Sequence, residues 1–403
     1  MVSTLHIFNP IQKLRYLSRM WRRGSMRLGE ADFSGDSVNQ HSNDSVKSSQ
    51  EYTVTSANQH LRHESKATPD PKYYQPDSGE GLCTFRVGNT LFRIHRCLLM
   101  REASAFRDML SLPCEEGMED GSTDHSAIPL YDDPTQIRDL LWALYSPPTS
   151  FCLYGQAGNQ EVPLERLLNI AELASKYCIE SYESWALERI CRLVKDAKGF
   201  ISYESAEICA RTLRLAAITG QCEILQLVSQ KLISRILWSG LDYGPIREVA
   251  ETFSLGRLLG VTYYRELVSC GEAEPHSTEE RHSASDSGRR EAILSASKEL
   301  LLLWGQIQSI PPRLHVGECL TPEACHSSWK RTWTYASSKA EQDPRICSVD
   351  VLGRLRYMMR CAKSKLPAMT SICVPCTMDA FERISAIREQ LIDDLLTYFT
   401  RPS

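Results

Sequence analysis

Long apolar runs are missing from this sequence of 403 residues. The strongest, Leu300 to Trp304, covers about one and a half helical turns, whereas a membrane-spanning helix needs roughly 20 apolar residues. We therefore expect a protein that is not integral to a membrane. A secretory leader is also missing, and the 15 cysteines are scattered through apolar stretches rather than arranged as a disulfide framework. Both observations predict a reducing compartment, the cytoplasm or the nucleus.

The motifs of the common catalytic mechanisms are missing too. There is no phosphate-binding loop, no Gly-x-Gly-x-x-Gly turn and no His-Glu-x-x-His helix. The sequence therefore contains none of the common motifs for binding nucleotides or dinucleotides or for metalloprotease catalysis. His95 is the most tempting general base, but no Ser, Cys or acid motif accompanies it, and we interpret it as structural. Ser104 lacks a Gly-x-Ser-x-Gly elbow and is predicted to cap a helix. We expect no enzyme, no catalytic residue, no cofactor-binding residue and no small-molecule substrate.

Charge is nearly balanced: the net charge is −4 at pH 7, which leaves no global field to attract nucleic acid or a membrane surface. Nucleic acid is therefore not an expected partner. Residues 1–28 are locally basic, with no acidic residue before Glu30. Their near-helical apolar spacing suits a mitochondrial presequence or a surface-lying helix, but we prefer an unstructured basic tail. Residues 32–70 are polar and are predicted to be linker, so residues 1–72 form one N-terminal region of basic segment and disordered linker.

Regular patterning begins at Gly81. Two alternating runs, Thr84–Val87 and Thr90–Ile94, flank the turn pair Gly88-Asn89 and predict a β-hairpin. Helical periodicity follows from Cys97, first in a short helix and then in a second helix capped by Ser104.

A short strand is predicted at Ile128–Tyr131. Asp133 and Pro134 then predict a helix start, with Gln136 placed to reach back as in a capping box. Three helices with apolar stripes follow up to residue 196. The predicted order is hairpin, two helices, strand and three helices, which is an α+β domain.

These residues resemble the opening of BTB/POZ domains. In that family a hairpin runs into a His-basic-x-x-Leu helix and then into Ser-x-x-Phe-like packing, and the run Phe85–Leu99 followed by Ser104 and Phe106 is similar to it. Further on, Leu140–Tyr145 and Leu167–Tyr177 look like the family's apolar helix ending in Tyr and its helix ending in Leu-Ala-x-Lys-Tyr. The pair Tyr73-Tyr74 is typical of a large fungal, basidiomycete-type set. The resemblance covers under a third of the chain.

The resemblance implies a BTB/POZ-like domain at residues 73–196 that binds proteins. It implies either self-association or recruitment of a cullin-type ubiquitin-ligase scaffold. Dimerising members carry an Asp about thirteen residues before the His. Here that place holds Leu82, although Arg96 matches the basic partner of that Asp, and this puts dimerisation in the family manner in question. The core and interface residues that the resemblance implies are Phe85, Val87, Leu91, Phe92, His95, Arg96, Leu99, Phe106, Leu141, Tyr145, Ala174 and Tyr177.

The rest of the chain is mostly helical in pattern. Residues 197–270 carry amphipathic stripes and are predicted to be a helical region, and residues 271–291 form a polar linker. Residues 292–403 are predicted to be a helical C-terminal module with Cys and Trp, including helices at Ala292–Ile307 and Met378–Phe399.

A metal site is the sharper hypothesis for this module. Cys373 and Cys376 have the spacing with which two thiolates grip one tetrahedral metal, and Cys319 and Cys325, or His326, would complete a structural Zn²⁺ site. Against this, the two halves are almost fifty residues apart and the spacing of Cys319 and Cys325 is loose. We prefer buried thiols without a cofactor and keep structural zinc as the alternative.

An aromatic and basic stretch lies between the two halves of that metal hypothesis. Trp329, Trp333 and Tyr335 with Lys330 and Arg331 suggest a stacking surface for nucleic acid. Aromatic residues in a small Cys-containing module more often fill its core, and we prefer that interpretation.

The sequence therefore favours a non-enzymatic protein-interaction protein, such as a substrate adaptor of a cullin-type ubiquitin ligase. Its expected partners are proteins, itself or a cullin scaffold. The alternative is a transcriptional or chromatin regulator that contacts nucleic acid through the Cys/His C-terminal module.

Overall fold

The computed structural model describes residues 67–76, 81–112, 121–146, 162–196, 203–272, 285–315, 317, 319–368 and 371–400. These residues form a mixed α+β protein in which helices predominate, as the sequence predicts. They divide into two compact units. The first takes the described part of Met1–Gln156 together with Glu172–Glu183, and the second takes that of Ala157–Ala171 together with Ser184–Ser403. The expected basic segment and most of the expected linker, residues 1–66, lie outside the described residues.

The first unit is built on a four-stranded sheet in the order β1-β3-β2-β4. β2 and β3 pair antiparallel, with Phe85 opposite Phe92, so the predicted hairpin is confirmed. Gly88 turns the chain between them with φ of 55°, a conformation that costs glycine little because it has no Cβ. β1 pairs parallel with β3, and β4 pairs parallel with β2, which puts the hairpin at the centre of the sheet. The strands are β1 (Thr68–Tyr74), β2 (Leu82–Val87), β3 (Thr90–His95) and β4 (Ile128–Leu130).

β1 is a strand that the sequence pattern does not predict. Its side chain Asp70 is buried and accepts hydrogen bonds from the backbone N–H groups of Lys72 at 3.0 Å and Tyr73 at 2.8 Å. Arg138 Nε donates to the same carboxylate at 2.6 Å. Composition assigns residues 68–72 to the linker, and that assignment is wrong because strand pairing and a distant arginine order them.

The helices of the first unit begin where the sequence predicts. α1 (Arg96–Leu99), α2 (Ala105–Leu110) and α3 (Pro134–Tyr145) follow the hairpin and β4. The Ser104 hydroxyl accepts the Arg107 N–H at 3.2 Å, and Asp133 Oδ1 accepts the Thr135 N–H at 2.7 Å, so both predicted caps are confirmed. Gln136 does not reach back. Its amide donates to Glu172 Oε2 at 3.0 Å, because a charged acceptor is within reach.

Helices continue to the end of the described chain. α4 (Leu164–Lys176) and α5 (Glu180–Lys195) each contribute residues to both units. The second unit then contains α6 (Ala206–Ile218), α7 (Cys222–Trp238), α8 (Gly244–Thr252), α9 (Gly256–Glu272), α10 (Ser285–Ser309), α11 (Pro322–Gln342), α12 (Val351–Lys365), the 3₁₀ turn Leu366–Ala368 and α13 (Val374–Thr400).

Two predicted helices of the second unit are confirmed and both begin earlier than expected. α10 contains the predicted Ala292–Ile307, and α13 contains Met378–Phe399. The predicted linker at 271–291 is too long, because α9 extends to Glu272 and α10 begins at Ser285. The first turns of α10 are polar, so their composition resembles a linker even though the backbone is helical.

No helix in the described part of the chain combines the length and the apolar character that crossing a bilayer requires.

Candidate metal centre

Four cysteines from two distant segments meet in the second unit. Cys319 precedes α11 and Cys325 lies in its first turns, while Cys373 directly precedes α13 and Cys376 lies in its first turn. Their Sγ atoms all lie within 4.8 Å of one another. We call these residues the four-cysteine cluster. Within the described ranges no histidine or carboxylate belongs to it, so His326 is not one of its members.

The spacing of the sulfur atoms suits a tetrahedral metal. Cys319 Sγ lies 3.6 Å from Cys325 Sγ and 3.9 Å from Cys373 Sγ. A disulfide would need about 2.05 Å. Four thiolates at the usual Zn–S distance of about 2.3 Å lie about 3.8 Å apart along the edges of a tetrahedron. The two separations bracket that edge, so the cluster could close on a metal ion with small movements.

Hydrogen-bond donors surround the Sγ atom of Cys325, which is more buried than Cys319. The Cys373 N–H donates to Cys325 Sγ at 3.4 Å, and the Thr321 hydroxyl lies 3.7 Å from the same atom. These contacts stabilise a thiolate in the same way that N–H groups at metal–thiolate sites do. The partial positive charges at the N-termini of α11 and α13 also stabilise negative charge on the nearby thiolates.

Burial and the neighbouring thiols shift the pKa values of Cys325, Cys376 and Cys319. Burial alone would raise the pKa of Cys325, but the Cys373 N–H, the Thr321 hydroxyl and the neighbouring thiols together lower that pKa to about 7. Burial, followed by the neighbouring thiols, raises the pKa of Cys376 well above its ordinary value. Burial likewise raises the pKa of Cys319. A divalent cation bound by the four sulfurs would let all four thiols lose their protons.

The segments that carry the cysteines are fixed by buried hydrogen bonds. The hydroxyls of Ser328 and Ser371 lie 2.7 Å apart and join α11 to the segment before α13. Trp329 Nε1 donates to the Pro312 carbonyl at 2.7 Å, which holds the chain leading to Cys319 against α11. The cysteines are therefore placed by a packed scaffold and not by the local spacing alone.

The two tryptophans of α11 belong to the core. Trp329 and Trp333 are 0% and 1% exposed and meet edge to face with ring centroids 5.2 Å apart. Trp333 Nε1 donates to the Ile307 carbonyl at 3.0 Å. The preferred interpretation of these aromatics as core is confirmed for both tryptophans, whereas Tyr335 is exposed.

The residues singled out in the first unit lie mainly in its hydrophobic core. Tyr177 is half-buried and stacks on Phe106 with ring centroids 4.1 Å apart, and its hydroxyl donates to Asp132. The Asp132 carboxylate also pairs with Lys176 at 2.5 Å. The fully buried members of the set are Phe85, Val87, Leu91, Phe92, Leu99, Phe106, Leu141 and Ala174.

His95 and Arg96 occupy the junction of β3 and α1. His95 is exposed, and its Nδ1 lies 2.9 Å from the hydroxyl of Tyr145, which is half-buried. The Tyr145 hydroxyl also accepts the His95 backbone N–H at 3.2 Å. Arg96 donates to the Leu110 carbonyl and so ties the junction to the end of α2. These contacts give both residues structural roles, and no nucleophile or acid lies among the partners of His95.

Sequence reasoning joined all four members of the cluster in one zinc hypothesis but preferred separate buried thiols, because the two halves are almost fifty residues apart. The Cys-x-x-Cys pair is a local signal, whereas the approach of Cys319 and Cys325 depends on how α11 and α13 pack. Comparison with known proteins adds nothing to the geometry, since no protein-family model, curated protein or solved structure matches this chain.

Proposed function

We propose that this chain is a non-enzymatic protein-interaction protein whose first unit is a BTB/POZ-like domain. The observation that carries the proposal is the order of elements in that unit. A central hairpin leads into two short helices, a strand parallel to β2 and then further helices, and the segments that resemble the family motifs form the hairpin and the helices of this order. Binding energy in such a domain comes from buried anchor side chains and shape complementarity. The partner we propose is a second copy or a cullin-type scaffold, for which the second unit would act as substrate receptor.

Affinity purification of the tagged full chain from its native cells, with mass spectrometry of the co-purified proteins, tests this proposal. Recovery of a cullin scaffold supports the adaptor role. Light scattering of the purified protein tests self-association. Recovery of transcriptional proteins would favour the alternative of a transcriptional or chromatin regulator. A monomer that captures no protein would refute the proposal.

A matched pair of variants links the interaction to the fold. Phe92 is 0% exposed and packs in the core, and the one guanidinium over its ring, that of Arg138, already pairs with Asp70. Phe92→Asp therefore removes a buried ring and places a carboxylate among apolar side chains, which should unfold the first unit and abolish capture. The control is Leu112→Asp, because Leu112 is 67% exposed. If Phe92→Asp captures the same partners as the unmodified chain, the interaction does not depend on this core.

We further propose that the four-cysteine cluster holds one structural Zn²⁺. Four sulfur ligands at tetrahedral separations form a closed set with no position left for a substrate, which is the pattern of structural rather than catalytic zinc. When bound, the ion would neutralise the thiolates and link the start of α11 to the start of α13. Cys319, Cys325, Cys373 and Cys376 are the residues that would hold it.

Metal analysis of the full chain, purified without chelator, tests the zinc proposal. We expect one zinc per chain and a lower melting temperature after chelation, because the ion binds only the folded cluster. Cys373→Ser should lose the metal. Cys361→Ser is the matched control, since Cys361 lies on α12 in the same unit and outside the cluster. Protein without zinc, in which all four thiols react freely and Cys373→Ser melts like the control, would refute the site.

A further inference from the structure

Positive charge is concentrated on two consecutive helices of the second unit. Residues 324–340 contain Lys330, Arg331 and Lys339 and no acidic residue. Residues 351–378 contain five Lys or Arg residues and again no acidic residue. The chain as a whole carries a net charge of −4, so this density is local. Of these eight basic side chains only that of Arg354 is buried.

One cation of the second helix joins the exposed side of the first. α11 and α12 form a helical hairpin joined by residues 343–350. The Lys365 ammonium at the end of α12 lies 3.4 Å from the ring centroid of Tyr335 on α11, which joins their exposed sides. We call this surface the basic face, defined by Lys330, Arg331, Lys339 and Lys365.

The charge on the basic face is not neutralised by the described residues. Lys330 and Lys339 form no ion pair with the described residues, in contrast to Arg257, which bridges Glu389 and Asp393. The acidic groups at the connection are already engaged. Asp343 pairs with Arg345 at 2.7 Å, and Glu341 accepts the Gln308 amide at 2.7 Å. The face therefore presents unbalanced positive charge to solvent, which favours a polyanionic partner.

From this geometry we propose that the basic face binds the phosphate backbone of double-stranded nucleic acid. Besides its cations, the exposed side of α11 carries the hydroxyl side chains Ser327, Thr334 and Ser338. Lys, Arg, Ser and Thr are the side chains that contact phosphate in nucleic-acid complexes. Lys330 and Lys339 stand at opposite edges of that exposed side, about 14 Å apart along the helix axis. A duplex presents about eight phosphate charges over that length.

Other polyanions fit the face less well. A single strand needs several exposed aromatic rings for stacking, but Trp329 and Trp333 are buried, and Tyr335 is a single exposed ring with Lys365 over one of its faces. A membrane-surface helix needs exposed Trp, Phe or Leu side chains, and the exposed side of α11 has none. An acidic peptide would need apolar pockets for its anchor side chains, and apart from Tyr335 the residues lining the exposed side of α11 are polar or charged. The proposal is independent of the BTB-like assignment and of the metal.

Fluorescence anisotropy of the full chain with labelled 20-base-pair DNA and RNA duplexes tests the proposal. If about four phosphates are contacted, affinity should fall about a hundredfold between 50 and 200 mM salt, because counterions are released on binding. Lys330→Glu with Lys339→Glu should weaken binding at 50 mM salt by at least about tenfold and reduce the salt slope by about 2.

The control variant is Arg214→Glu with Lys298→Glu, which changes the net charge equally at exposed positions on α6 and α10. It should bind duplexes within about threefold of the unmodified chain. The tryptophan melting curve must be unchanged in both variants. Equal loss in the two variants, tighter binding to a single strand, to poly-glutamate or to anionic vesicles, or no duplex binding at 50 mM salt would each overturn the proposal.

Discussion

Two glycines in long helices of the second unit should respond in opposite directions to the same substitution. Gly260 lies on α9 where this helix crosses α13. A Cβ built there meets the backbone nitrogen of Leu396 at 2.6 Å and the Cβ of Leu395 at 3.0 Å. Gly305 lies on α10, and a Cβ there meets nothing within 4 Å. Glycine in a helix interior costs up to about 1 kcal/mol relative to alanine, so propensity alone predicts that both replacements stabilise.

Steric contact decides whether Gly260→Ala raises or lowers the free energy of unfolding. Because the nearest atom belongs to the backbone of α13, a methyl group can be accommodated only if the two helices separate. Overpacking of this kind costs about 1–3 kcal/mol, and more where the backbone must move. We therefore expect Gly260→Ala to lower the free energy of unfolding by about 1–2 kcal/mol after the propensity gain is subtracted. Gly305→Ala should raise it by about 0.5–1 kcal/mol.

Denaturant unfolding of the full chain, followed by tryptophan fluorescence, measures both effects. Five of the seven tryptophans lie in the second unit, so the signal reports mainly on it. If Gly260→Ala stabilises the protein as much as Gly305→Ala does, α9 and α13 do not approach as closely as the structure shows. The reasoning about their packing would then be refuted.

Two further predictions concern buried polar groups. Burial alone would raise the pKa of Asp70, but its hydrogen bonds from Arg138, Tyr73 and Lys72 lower that pKa, so its stabilisation is present above the unfolded pKa of about 3.9 and is lost as the pH falls through the folded value. Asp70→Asn should therefore speed hydrogen exchange of β3 about tenfold near neutral pH. The difference from the unmodified chain should shrink as the pH falls below about 4 and vanish once the folded carboxyl is protonated; a constant difference would contradict this. Tyr264→Phe removes the hydroxyl that donates to Asp350 at 2.7 Å and accepts the Leu352 N–H at 2.9 Å, so the unfolding free energy should fall by about 1–3 kcal/mol, whereas Tyr203→Phe at an exposed position should be silent.

The elements that sequence reasoning predicts correctly depend on neighbours close in the chain. The Gly88 turn, the Ser104 cap and the Asp133 cap each involve atoms within a few residues, and all are present. The predicted capping box at Gln136 is wrong because a residue distant in the chain intervenes. A capping box is one local option for that amide, but Glu172, 36 residues away, is the acceptor it uses.

The sequence by itself determined the hairpin, the helix starts, the helical character of the C-terminal half and the identity of every cysteine in the cluster. Tertiary structure alone decided that β1 joins the sheet, that Cys319 and Cys325 approach Cys373, and that Lys365 of α12 reaches Tyr335 on the exposed side of α11. The physical reason is the range of the interactions. Turns, caps and periodicity are fixed by steric and hydrogen-bonding preferences within one or two turns of chain, whereas sheet pairing and helix packing depend on contacts between distant segments, whose partners a single sequence does not name.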